Sequence, residues 1–328
     1  NLGIAQHQGS VALVLEDTGG ISLKEFLDGK PLGLSEFLPL AIQLSDTLSA
    51  IHSQNIIHKD IKPQNIIVTE KKGKIHSAKI TDFGISTILN EEIREIYHPK
   101  TIEGTLPYIS PEQTGRMNLS VDYRTDLYSL GVTFYEILSG QLPFSSKDPL
   151  DLIYSHIAKE SLPLHEINNS IPAPISGIVK KLLSKSPEDR YQSAYGLKNE
   201  FEYFFEQFKD KGFSPDFKPG FLDVSDRFVL PQKIFGRENE INELLRNFSK
   251  VTEGQTRVML VSGAPGIGKS RLVNEIHKPI VKSRGYFIAG KYDQLRKDVP
   301  FSSILQAFQS LVRQALSESE DRIENWKI

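Results

Sequence analysis

The sequence predicts a multidomain chain: a mainly helical α+β unit over residues 1–208, a linker over 209–233, and the start of an α/β unit over 234–328. Three observations predict it. The length of 328 residues suggests two domains. Apolar residues between 35 and 208 recur mostly at helical spacing. The run RVMLVSGAPGIGKSRLVNEI reads as a strand, a glycine-rich turn and a helix.

Composition bounds the function. Hydrophobic residues make up 39% and charged residues 24%, ordinary for a globular protein. A formal net charge of −2 and the lack of a long basic block argue against nucleic acid as a partner. There is no cysteine, which excludes disulfides and thiolate metal sites and fits a reducing compartment; the expected location is cytoplasmic. No apolar run reaches the length of a membrane span, and no signal peptide is visible. The chain opens on Asn1 and closes on SESEDRIENWKI, which reads as helix cut in mid-pattern, so a fragment is expected.

The elements follow in order. VALVLE, residues 11–16, reads as a buried strand, broken by DTGG. Ser22 can cap a short helix carrying Leu23, Phe26 and Leu27. Ser35 begins a longer helix with Phe37, Leu38, Ala41, Ile42, Leu44, Leu48 and Ile51 on its apolar stripe. Short strands are predicted at 66–68 and 78–80, then a glycine-dotted loop over about 82–120. TDLYSLGVTFYEILSG is apolar nearly all round and reads as a buried central helix, with further helices near 148–158, 174–184 and 194–208. Pro, Gly and charge mix through the linker, which predicts loosely coupled domains. GRENEINELLRNF is an amphipathic helix, and GYFIAGKYD a second strand of the last unit.

The stretch HKDIKPQN, His58 to Asn65, sets a carboxylate, a lysine and an amide on one short loop between apolar runs. A Ser or Thr hydroxyl is a weak nucleophile, so a carboxylate placed to accept its proton helps phosphoryl transfer. Asp60 is the candidate. Lys62 can steady the charge on the moving phosphoryl group, and Asn65 offers an amide oxygen to magnesium. Pro63 stiffens the turn between them. A second acid for the metal arrives in TDFG at Asp82, and Gly84 lets the chain turn sharply after it.

With GTLPYISPE at 104–112 and DLYSLGVTFYEILSGQLPF at 126–144, these motifs resemble a eukaryotic-type Ser/Thr protein kinase in order and spacing over residues 11–208. The resemblance implies a kinase large lobe that uses ATP and Mg2+ and phosphorylates protein hydroxyls. It implies that VALVLEDTGG is the hinge, with Glu16, Asp17 and Thr18 facing adenine and Ile67 as the apolar floor. It implies a structural ion pair between Glu112 and Arg190, an Asp126 that braces the catalytic loop, and a Thr105 that typifies Ser/Thr kinases. His58 is expected to pack and hold the loop.

Two departures stand out. Lys59 replaces the Arg that commonly grips an activation-loop phosphate, and a point charge is a poorer clamp than a fork of donors. Ser86, Thr87, Thr101 and Thr105 are the candidate phosphorylation sites. Only about ten residues precede the hinge, whereas the family's glycine-rich loop, strand lysine and helical glutamate all lie there. The small lobe is expected to be missing and the fragment itself inactive.

GAPGIGKS, Gly263 to Ser270, satisfies the phosphate-loop pattern. Gly263, Gly266 and Gly268 let backbone N–H groups turn inward around phosphates. Lys269 supplies a cation and Ser270 can ligate magnesium. With IFGRENEINELL upstream, residues 234–328 resemble the AAA-type ATPase module of large bacterial signalling proteins, in which sensor and histidine-kinase domains often follow. That implies such domains as partners in the same polypeptide. An acid ending a later strand should hold magnesium; Asp293 is a poor candidate. The expected function is a Ser/Thr protein kinase in signal transduction with an appended ATP-binding P-loop module. The alternative is a weak or inactive kinase scaffold in a nucleotide-gated switch. A small-molecule kinase fits less well, because GTLPYISPE resembles a protein-substrate loop.

Overall fold

The computed structural model describes residues 3–7, 10–14, 17, 19–88, 104–117, 119–210, 217–223, 236–276, 279–280, 283, 285–290, 292 and 301–316. Strands β1 (Gly3–His7) and β2 (Ser10–Val14) pair antiparallel, from Gly3 opposite Val14 to His7 opposite Ser10. The sequence predicts a single strand here and no small lobe before it. Sheet structure is nevertheless present at 3–7 and 10–14, so the predicted absence of the small lobe, and the inactivity drawn from it, are not supported.

A second antiparallel sheet runs β3 (Ile21–Ser22), β5 (Ile66–Lys71), β6 (Lys74–Ile80). Lys72 and Gly73 form the β5–β6 turn, with φ of 56° and 73°. Two positive φ values give a tight turn whose twist matches that of the strands. A third sheet pairs β4 (Ile56–Ile57) with β7 (Thr87–Ile88). It ties the chain just before His58 to the chain just after Gly84.

Helices supply the rest. The first, α1 (Leu23–Leu27), carries a capping box in which Ser22 and Glu25 bond each other's backbone N–H, as the sequence predicts for Ser22. The next two are α2 (Leu34–Ser53) and α3 (Arg124–Ser139). Then come α4 (Pro149–Ala158), α5 (Leu164–Ile167), α6 (Ala173–Leu182) and α7 (Ala194–Asp210). Residues 124–138 of α3 are all buried, so it is the central helix its all-round apolar pattern predicts. Phe37 of α2, Phe134 of α3 and Phe201 of α7 meet edge to face at 5.2–5.8 Å and lock three helices into one core. Gly131 lets α6 approach α3: a Cβ there would lie 2.6 Å from that of Leu182.

Part of the predicted linker is folded onto this core. The Phe217 ring packs on Phe204 at 4.3 Å and on Phe221 at 5.4 Å. The Asp223 carboxylate accepts from the backbone N–H of Gln192 (2.6 Å) and Ser193 (3.2 Å), just ahead of α7.

The last unit contains α8 (Glu238–Thr252), α9 (Lys269–Asn274) and α10 (Ser302–Leu316). The sequence predicts a strand at 257–261 and the beginning of a parallel sheet. Among the described residues no strand pairs there, and Val258 and Leu260 are 94% and 93% exposed. A strand is a hydrogen-bonded ladder, and an apolar run alone does not make one without a neighbour. No described helix is long and apolar enough to cross a membrane.

Candidate active site

The loop from His58 to Asn65 leaves β4, makes a 3-10 turn over Pro63–Asn65 and enters β5. Asp126, fully buried in the first turn of α3, braces it from below. Its Oδ2 accepts from the His58 N–H at 2.9 Å and its Oδ1 from the Lys59 N–H at 2.7 Å. His52 Nε2 lies 2.9 Å from Oδ2. Three partners from two elements thus satisfy one buried carboxylate, which is what makes its burial tolerable. His58 is itself buried. Its Nε2 reaches the Thr81 carbonyl at 3.0 Å, and its ring packs on Phe83 at 4.8 Å. It holds the loop against the segment carrying Asp82, as predicted.

Asp60 follows on this loop and is 9% exposed. Its Oδ2 accepts from Lys62 Nζ at 2.5 Å and from Asn65 Nδ2 at 3.0 Å, while Oδ1 accepts from the Thr105 N–H at 3.1 Å. Lys62 Nζ also donates to Thr105 Oγ1 at 2.6 Å. Burial pushes the Asp60 carboxyl up, but hydrogen bonds with Lys62, Thr105 and Asn65 outweigh it and hold the group below the ordinary carboxylate range. Asp60 is therefore ionised at neutral pH, with a cation and a hydroxyl fixed beside it.

Asn65 spends its amide nitrogen twice on Asp60, on the carboxylate and on the backbone carbonyl at 2.9 Å. That turns its Oδ1 away as an oxygen donor. Asp82 is exposed, with φ of 65°, and a Cβ on Gly84 would sit 3.2 Å from its Oδ1. Glycine there keeps one side of the carboxylate open. An amide oxygen and a carboxylate are the donors that a hard cation such as Mg2+ takes, so the donor set fits. Among the described residues no cluster of three His, Asp or Glu could hold a metal.

The residues expected to face the nucleotide are described in part. Ile67 is half-buried in β5, and Gly20 lies against it: a Cβ on Gly20 would be 2.7 Å from Ile67 Cγ2. Asp17 is exposed and caps a turn, accepting from the Gly19 N–H at 2.8 Å. Glu16, Thr18 and Thr101 lie outside the described residues. Ser86 Oγ donates to the His58 carbonyl at 3.2 Å.

Beneath the site, Arg190 and Glu112 pair with both side chains fully buried, Nη1–Oε1 at 2.6 Å and Nη2–Oε2 at 2.8 Å. The remaining Arg190 donors reach the carbonyls of Ser184, Arg124 and Lys185, and Thr125 donates to Glu112. Burial pushes Glu112 up, and Arg190 more than reverses it. The predicted structural pair is present with its hydrogen bonding filled.

Sequence reasoning passed over His52, Gly104 and Gln113. His52 was open to detection as a histidine one turn after Leu48 on the apolar stripe of α2. Gly104 (φ 103°) lies against Lys59, where a Cβ would stand 3.1 Å from the Lys59 carbonyl oxygen. No local signal marks Gln113.

The second candidate site is the phosphate loop. Gly266 and Gly268 have φ of 79° and 90°, which other L-residues rarely adopt. Lys269 Nζ donates to the carbonyls of Gly263 and Ala264, both at 2.9 Å. Ser270 is exposed in the first turn of α9. Asp293 lies outside the described residues.

The protein kinase domain family matches residues 2–202. The chain belongs to the protein kinase family. Residues 233–328 match the AAA ATPase domain. Hybrid signal transduction histidine kinase G of Dictyostelium discoideum is 33% identical over 379 aligned positions, covering 90% of this chain and 11% of the relative. A probable serine/threonine-protein kinase of Clostridium perfringens is 36% identical over 191 residues, 58% of this chain and 27% of the relative. Serine/threonine-protein kinase PknB of Mycobacterium tuberculosis is 31% identical over 183 residues, 56% and 28% respectively. The chain therefore spans between a tenth and a third of the length of these curated relatives. The kinase unit contains the Asp60 network and the ATPase unit the Lys269 loop.

Proposed function

We propose that this chain carries the phosphoryl-transfer site of a Ser/Thr protein kinase in signal transduction, with the ATPase unit as a separate ATP-binding module. The observation that carries this reading is the Asp60 network, an ionised carboxylate fixed by Lys62, Asn65 and Thr105 on a braced loop. A scaffold needs none of those contacts around a carboxylate. The relatives named as serine/threonine kinases support the same reading.

In this reading Asp60 orients the acceptor hydroxyl and takes its proton as the oxygen attacks the γ-phosphorus. The bond from that phosphorus to the β–γ bridging oxygen breaks, and ADP leaves. Lys62 neutralises charge on the transferring group, and Thr105 keeps Lys62 over the site. Asn65 and Asp82 would hold Mg2+, which when bound neutralises phosphate charge and orients the terminal phosphate. Glu16, Asp17 and Thr18 would face adenine and Ile67 would floor it. In the ATPase unit Gly263, Gly266 and Gly268 would cradle phosphates, with Lys269 and Ser270 on the terminal phosphates and their metal. Sensor or histidine-kinase domains of a longer polypeptide are the proposed partners.

The test follows labelled terminal phosphate from Mg-ATP to protein Ser or Thr in the full-length protein. Asp60→Asn should lower kcat by about 10²–10⁴, and Lys269→Ala should leave it unchanged. No transfer in the unaltered protein, with ATP binding that vanishes in Lys269→Ala, would point instead to a nucleotide-gated scaffold.

A further inference from the structure

We infer that Gln113 is a positioning residue for Asp60, holding the peptide unit on which Asp60 is mounted; this rests on the kinase reading above. Lys59 has φ of 70°. Left-handed backbone is costly for a residue with a side chain, and it persists only where neighbours over-determine it. The peptide between Lys59 and Asp60 is held at both ends. Its N–H reaches His58 Nδ1 at 3.3 Å, and its carbonyl accepts from Gln113 Nε2 at 2.9 Å. Rotation of that peptide would swing Asp60.

The orientation of the Gln113 amide is fixed by its surroundings. Its Oε1 accepts from the Ser110 N–H and Oγ, both at 3.0 Å. A backbone N–H can only donate, so the oxygen must face Ser110 and the nitrogen must face Lys59. The side chain is 4% exposed, so water cannot easily replace a lost donor. Gly104 closes the same node: a Cβ there would lie 3.4 Å from Gln113 Nε2 and 4.0 Å from Asp60 Oδ1. The next residue, Thr105, donates its N–H to that carboxylate oxygen. Ser110 Oγ also lies 3.4 Å from the hydroxyl of Thr125, which donates to Glu112. Polar contacts thus run from the Glu112–Arg190 pair toward the backbone of the candidate base.

The donor is the decisive feature, and two variants isolate it. Gln113→Met keeps the length and removes both the donor to Lys59 and the acceptor for Ser110. Gln113→Glu keeps the acceptor for Ser110, and its other oxygen can donate to Lys59 only while protonated. Burial raises a carboxyl pKa, so this variant should regain the contact as pH falls. Asp60, whose carboxyl is depressed, stays ionised over that range. The charged groups around the node, Asp60 and Lys62 on the loop and Glu112 and Arg190 below, are common to all variants, as is His58. Rates are therefore compared with the unaltered protein at the same pH.

The experiment measures kcat, KM for ATP and amide-exchange protection at Asp60 and Thr105, on the full-length protein from about pH 5 to 8. Gln113→Met should lose about tenfold or more in kcat at every pH, keep KM for ATP within about twofold, and lose protection at both amides. Gln113→Glu should approach the unaltered protein at the acid end and fall to the Gln113→Met level at the alkaline end. A pH-independent loss equal in both variants, or a kcat and protection unchanged in Gln113→Met, would overturn the inference. If the unaltered protein transfers no phosphate, the kinase reading fails, and the protection of Asp60 and Thr105 alone then decides whether Gln113 holds the loop.

Discussion

The loop bearing Asp60 and the loop bearing Lys269 both serve phosphate chemistry in their proposed roles, yet they are held in different ways. Asp60 and its neighbours are fixed from far along the chain. Asp126 reaches His58 across 68 residues, and Gln113 reaches Lys59 across 54. Among the described residues Lys269 bonds only to carbonyls five and six residues before it, and its loop is exposed. A loop set by distant partners inherits the cooperativity of its core. A loop set by its own glycines keeps its shape locally and leaves its cation free to exchange carbonyls for phosphate.

The comparison breaks most visibly at the buried ion pair. Glu112→Leu should destabilise the kinase unit by about 3–5 kcal/mol, because it leaves Arg190 charged and unpaired in the core. Denaturant unfolding measures the loss, and a second change, Arg190→Met, should recover part of it. A smaller effect is expected from His156, buried on α4 with Nδ1 2.9 Å from the Tyr128 hydroxyl. Burial, helped by the nearby Lys185 charge, pushes its pKa down to about 3. The unfolded chain takes a proton near pH 6.5 and the folded one only near 3, so this group lowers stability as pH falls between those values. His156→Gln should flatten that slope in unfolding followed against pH.

Asp223→Ala removes an acceptor from two backbone N–H groups before α7 and should cost about 0.5–2 kcal/mol, as loss of a helix cap does. An unchanged Tm would mean that residues 217–223 are not part of the cooperative unit. The smallest effect sharpens the contrast: Lys269→Ala should change stability by less than about 0.5 kcal/mol. Nucleotide binding by the ATPase unit should nonetheless be lost, as read by fluorescent ATP titration. A large destabilisation there would show that the phosphate loop is also braced from a distance.

The sequence by itself determined most helices of the kinase unit and the residue types of the candidate sites. Period and capping signalled the α1 cap, the apolar stripe of α2 and the all-round burial of α3, because helix spacing and caps depend on residues within one or two turns. Motif spacing marked Asp60, Lys62, Asn65 and Asp82, and the glycines before Lys269, because their residue types and intervals are constrained within a few positions. Only the tertiary structure decided what holds those side chains. His52, Gly104 and Gln113 act through contacts with residues 45 to 74 positions earlier or later, and nothing local distinguishes such a glutamine from a solvated one. The same holds for Asp223, which lies in a stretch whose Pro, Gly and charge read as linker until the hydrogen bonds ahead of α7 claim it. The missing strand at 257–261 is the converse case: its apolar run is present, but a strand is made by its neighbours, and a local run cannot supply them.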